Sequence, residues 1–253
     1  MKTKSPEFCD RLRQLGLAAL AATINLTLSG LGLVGAPMAV AQTPLFEGHA
    51  DVGIDYDAES NHWNLHVHDE ANDQEYSPPT ETLLFVRSNA HGTVPAGAEW
   101  SFLGSPGGEV WTLPSVQNPN LLFLGIGSEE IADGTFAGDQ FTLALKNVIG
   151  PGHFALFDYD SFGDPVVWMN TRDGIDGADA VTMSSGRHSH ANWSFSAPGD
   201  YTLWFEASAL SVDHGFTSSG DVPYTFHVQA VPEPGAFVLL GMAMVTLVLR
   251  RRR

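Results

Sequence analysis

Only one cysteine occurs in the 253 residues, Cys9, and only four lysines or arginines fall between residues 14 and 249: Arg87, Lys146, Arg172 and Arg187. With the single thiol so close to the N terminus, the rest of the chain has neither a disulfide framework nor a thiolate ligand or nucleophile. The shortage of cations leaves residues 43–230 with four positive side chains against twenty-six acidic ones, a net charge of −22 where the whole chain carries −17. Such a surface repels nucleic acid and attracts cations. Helical periodicity is also missing, since no ten-residue stretch between the two ends shows an apolar stripe with caps. Neither a Gly-x-Ser-x-Gly elbow nor a His-Glu-x-x-His pair is present, so no hydrolase chemistry is signalled and the expected role is not enzymatic.

What is present begins with two hydrophobic ends. Lys2, Lys4, Arg11 and Arg13 precede an apolar, small-residue run from Leu15 to Val40 that closes on Ala39-Val40-Ala41. This is the pattern of an export signal over residues 1–41, with cleavage ahead of Gln42. At the other end, residues 231–253 comprise Val231-Pro232-Glu233-Pro234, the apolar run Ala236 to Leu249 and then Arg250 to Arg253. Fourteen residues make about 21 Å of helix, short of the roughly 30 Å hydrocarbon core, and the arginines fix the cytoplasmic side. Pro-Glu-Pro, a short membrane helix and an arginine cluster together resemble the PEP-CTERM sorting signal of Gram-negative bacteria. The resemblance implies processing by a protease of exosortase type, membrane contact through the C-terminal helix, and a destination at the cell envelope, the cell surface or the medium.

Residues 42–230, about 190 in number, are enough for one sizeable core and show period two. Trp63, Leu65 and Val67 alternate with Asn64, His66 and His68; Phe141, Leu143 and Leu145 alternate with Thr142, Ala144 and Lys146; Tyr201, Leu203 and Phe205 alternate with Thr202, Trp204 and Glu206. Turn signals such as Ser105-Pro106-Gly107-Gly108, Gly150-Pro151-Gly152 and Ala197-Pro198-Gly199-Asp200 punctuate these runs. The expectation is an all-β domain, an antiparallel β-sandwich of immunoglobulin-like or jelly-roll type. The segments Gly48–Gly53, Trp63–Glu70, Gly150–Phe157, Gly186–Phe195 and Pro198–Tyr201 follow one another in an order that resembles the choice-of-anchor M domain, over residues 45–229. That resemblance implies surface display and a link to metal acquisition, and no established reaction.

All ten histidines lie in this middle segment, and four of them form His-x-His pairs: His66 with His68, and His188 with His190. Residues i and i+2 of a strand point to one face about 6.6 Å apart, so each pair offers two imidazoles that can converge on one ion. His49 and His153, each after a glycine at a strand start, complete a candidate pool of metal ligands: His49, His66, His68, His153, His188 and His190. Without thiolates, the site would favour zinc, copper or manganese. The competing expectation is that both pairs are solvated residues on the polar faces of their strands. The alternative is an adhesin or exopolysaccharide-associated matrix protein without a transition metal, with calcium as a rival ion held through Asp158, Asp160 and Asp164 or through Asp173, Asp176 and Asp179, although neither loop has the closing glutamate of an EF-hand. Trp63, Trp100, Trp111, Trp168, Trp193 and Trp204 keep an exopolysaccharide partner open, since exposed rings stack on sugars while buried ones serve the core.

Overall fold

The computed structural model describes residues 41–232. All but the last residue of the expected export signal (residues 1–41), with Cys9, and the C-terminal run Ala236–Leu249 with its arginines lie outside the described residues. Among the described residues, no helix is long and apolar enough to cross a membrane.

The described chain is all-β. Its first eight strands are β1 (Thr43–Leu45), β2 (Gly48–Asp57), β3 (His62–Asp69), β4 (Gln74–Tyr76), β5 (Thr82–Val86), β6 (His91–Thr93), β7 (Glu109–Leu113) and β8 (Leu122–Gly127). There follow β9 (Gln140–Ile149), β10 (Phe154–Tyr159), β11 (Pro165–Asn170), β12 (Ala180–Ser184) and β13 (His188–His190). The last four are β14 (Asn192–Phe195), β15 (Gly199–Ser211), β16 (Gly215–Ser218) and β17 (Val222–Val228). A seven-stranded sheet runs β1-β5-β17-β15-β9-β12 with β16 added to β15, and two five-stranded sheets run β11-β10-β14-β7-β6 and β13-β8-β2-β3-β4.

The alternation read from the sequence sets the inner faces. Phe141, Leu143 and Leu145, and Tyr201, Leu203 and Phe205, are all buried on the seven-stranded sheet. They meet Trp193 and Phe195 of β14, whose rings pack on Phe205, Tyr201 and Phe226. Toward the third sheet, Trp63 stacks on Phe136 and Tyr224 donates a hydrogen bond to the His66 carbonyl at 3.1 Å. The seven-stranded sheet thus packs on both smaller ones in a sandwich around one core. Burying a large apolar side chain there contributes about 1.5–3 kcal/mol relative to leaving it in water. Pairing is more varied than the antiparallel expectation: β2 runs parallel to β8, and β5 runs parallel to both β1 and β17. These parallel neighbours are far apart in sequence, so no hairpin turn announces them.

His66 departs from its strand's alternation. It lies on the polar face of β3 and is nonetheless 2 % exposed, because the residue opposite on β2 is Gly53 and the imidazole lies across the space a side chain would occupy.

Candidate metal centre

The β13-β8-β2-β3-β4 sheet has one apolar face, with Ala50, Val52, Ile54, Leu65, Val67, Leu122, Leu124 and Ile126 buried in the core. Period two sends the intervening residues to the other face, and register lines them up across strands. His190 pairs with Gly125, Gly125 with Asp51, and Asp51 with His68; in the adjacent row His188 pairs with Gly127, Gly127 with Gly53, and Gly53 with His66. Every histidine of both His-x-His pairs therefore shares one face, and three glycines in the middle strands leave room for the rings to lean inward.

His49, His188 and His190 come together there. One ring nitrogen from each lies within 4.8 Å of those of the other two. Nε2 of His49 is 3.2 Å from Nε2 of His188. Asp51 Oδ1 completes a triangle, 3.0 Å from His188 Nε2 and 3.3 Å from His49 Nε2. Donors bound at 2.0–2.1 Å to a tetrahedral ion are about 3.3–3.4 Å apart, so these edges are close to those of a coordination tetrahedron.

Three further observations fit a cation. First, Asp51 is 2 % exposed, yet its buried Oδ1 takes part in no well-directed hydrogen bond. Burial raises its carboxyl pKa above the ordinary value, His188 and His49 pull it down, and Glu70 and Glu129 push it up. A buried carboxylate so placed is costly unless a positive charge sits beside it. Second, Gly125 forms the floor: a Cβ there would overlap Asp51 Oδ1 and lie 2.6 Å from His188 Nε2 and 2.9 Å from His190 Cε1. Third, the His190 pKa is lowered to about 4, chiefly by burial and then by the neighbouring His188 and His49, which keeps the ring neutral and able to donate a lone pair.

Neighbouring side chains hold the ligands in place. Glu129 Oε1 lies 2.7 Å from His188 Nδ1, so with the proton on Nδ1 the Nε2 lone pair faces Asp51 and His49. Phe123 stacks on His190 with ring centroids 3.6 Å apart and planes 12° from parallel. Glu129 is itself positioned by Ser128, whose backbone N–H and hydroxyl both donate to the Arg187 carbonyl, at 2.8 and 2.9 Å, tying the segment after β8 to the turn before β13.

The remaining sequence candidates go elsewhere. His66 faces Glu75 and Glu130, and His68 lies 3.1 Å from Glu70. Burial raises the Glu130 pKa, with His66 opposing it. The structure does not bring His153 to this face: it precedes β10 in another sheet, is exposed, and has Nδ1 3.3 Å from the Thr171 carbonyl. In the acidic loops, Asp160 accepts from the backbone N–H groups of Phe162 and Asp164, while Asp179 accepts from those of Asn170 and Asp176. Those carboxylates serve their own turns. Of the tryptophans, Trp63, Trp111 and Trp193 are core, and Trp100, Trp168 and Trp204 are half-buried. Sequence reasoning missed Asp51, Gly125, Glu129, Glu75 and Glu130. Only the alternation of His49 with Asp51 signalled any of them.

The fold and this face define an all-β sandwich with a preformed histidine and carboxylate cluster. At the end of the chain, a family model for the PEP-CTERM protein-sorting motif matches residues 230–253. The motif marks an exported protein that is recognised by an exosortase-type protease and sorted to the cell envelope or surface. No curated protein matches the chain.

Proposed function

We propose that this is a surface-displayed metal-binding module of choice-of-anchor M type, which holds one divalent transition metal through His49, Asp51, His188 and His190. Its role is binding, not catalysis. The observation that carries the reading is the triangle of His49 Nε2, His188 Nε2 and Asp51 Oδ1, with edges of 3.0–3.3 Å, built above the bare backbone of Gly125. Three imidazoles and one carboxylate favour zinc or copper(II) over the harder manganese. The acidic exterior adds a long-range attraction for cations outside the cell. With the carboxylates of Asp160 and Asp179 engaged in turns, a calcium-held matrix protein has less support.

The test is elemental analysis and zinc titration of the full chain, purified without a histidine tag and stripped with chelator. One tightly bound equivalent should be present in the native protein and absent from the His188→Ala/His190→Ala variant. A native protein that neither carries nor takes up stoichiometric zinc or copper would sink the proposal.

A further inference from the structure

A second group on the same face is chemically distinct from the first. His66, Glu75 and Glu130 each offer a ligand atom within 4.8 Å of the others. His66 is the anchor. It is 2 % exposed, and among the described residues its only side-chain hydrogen bond is a long one, 3.4 Å, between Nδ1 and the Asn64 carbonyl. Its Nε2 edge lies over Gly53, where a Cβ would collide with the ring, so the imidazole is held against the sheet. Glu75 comes from β4, in register with His68, and Glu130 comes from the segment after β8. A recess of about 20 Å³ opens at His66 and Glu130, with Gly53, Glu70 and Glu129 among its other walls, and Glu75 lies outside it. That is room for one small ion or one water.

We infer that His66, Glu75 and Glu130 form a second divalent-cation site, harder in character than the first. One imidazole and two carboxylates make a donor set suited to manganese(II), with the remaining positions open to water. Glu129 and Glu130 are consecutive and divide their work: the first orients His188 in the histidine-rich site, the second faces His66. The segment after β8 therefore touches both sites, so occupancy of one alters the charge felt at the other. His66 is also well organised as a ligand, because a buried ring packed against bare backbone loses little freedom on binding.

The experiment is a manganese(II) titration of the full, untagged, chelator-stripped chain, read by electron paramagnetic resonance of the free ion, with zinc stoichiometry measured in parallel. Glu130 is exposed, so Glu130→Gln keeps the fold and should weaken manganese binding at least tenfold. His66→Ala should do the same, with circular dichroism to verify folding. Neither substitution should remove the zinc equivalent lost in His188→Ala/His190→Ala. Manganese binding unchanged in Glu130→Gln, or abolished by His188→Ala/His190→Ala alone, overturns the second site. Zinc binding insensitive to the His188 and His190 substitutions, with manganese still dependent on Glu130, overturns the first site and leaves the second standing.

Discussion

Replacing Gly125 by alanine tests the centre with one carbon atom. Gly125 lies within β8, and its φ is outside the positive range, so the alanine backbone fits without strain. Removing a glycine gains about 0.4–1 kcal/mol through the unfolded chain, while crowding a packed site costs about 1–3 kcal/mol. The crowded atoms are mostly ends of side chains, Asp51 Oδ1 and His188 Nε2, which can swing aside. The net change in stability should therefore be a loss of no more than about 2.6 kcal/mol. Metal binding has no such escape, because the same methyl occupies the space where the donors converge. Apparent zinc affinities of about 10–16 kcal/mol for four ligands assign roughly 3 kcal/mol to each. Displacing even one donor should thus weaken zinc binding by about two orders of magnitude. Competition with a chromogenic zinc chelator measures this directly, and Gly92→Ala in β6 is the control, since a Cβ there meets nothing within 4 Å. Unchanged zinc affinity in Gly125→Ala would refute the assigned geometry.

Other perturbations separate charge, orientation and protonation. Asp51→Asn removes a buried, poorly partnered carboxylate, so the metal-free protein should melt a few degrees higher while the zinc-induced rise in Tm disappears; scanning calorimetry with and without zinc reads both. Phe123→Ala takes away the ring stacked on His190 and should weaken zinc about tenfold in a calorimetric titration, with the stoichiometry kept at one. For the metal-free protein, the His190 pKa near 4 lies below the ordinary value of 6.5, so the unfolded chain binds the proton first. Stability is then unaffected above about pH 6.5, falls as pH drops toward 4, and falls no further from this group below that. Because the ring is partly exposed, the loss is well under the 1.4 kcal/mol per pH unit of a fully enclosed group. Urea unfolding of wild type and His190→Gln between pH 4 and 7 should show the steeper decline in wild type.

Particular residues show why some of this was legible and some was not. The alternation in β9 and β15 translated directly into inward Phe141, Leu143, Leu145, Tyr201, Leu203 and Phe205, because a pleated strand leaves a side chain only two directions. The same rule put His188 and His190 on one face and made them ligand candidates. It carries no information on which strand lies beside which. The parallel pairing of β2 with β8 and the placement of β13 on the far edge of β8 set His49 against His188 across 139 positions of chain. Asp51 looked like one acid among twenty-six, and its distinction is burial, a property of register and not of residue type. Gly125 was invisible for a different reason: it acts through the side chain it does not have. His153 shared the glycine-then-histidine context of His49, but the strand it introduces belongs to another sheet.

The position of β17 has a consequence for how such a molecule is exported and meets its sorting protease. This last strand is not at an edge; it is clasped between β5 and β15, and it ends at Val228, two residues ahead of the sorting motif. The largest sheet therefore cannot close until the final stretch of the domain has emerged from the export machinery. From Gln229 to Pro232 the backbone reaches at most about 14 Å, so a protease that cut near Glu233 would work almost against the folded body. A severed product would leave with a blunt end instead of a trailing leash, and lengthening that four-residue spacer should speed cutting if the bulk of the domain hinders access.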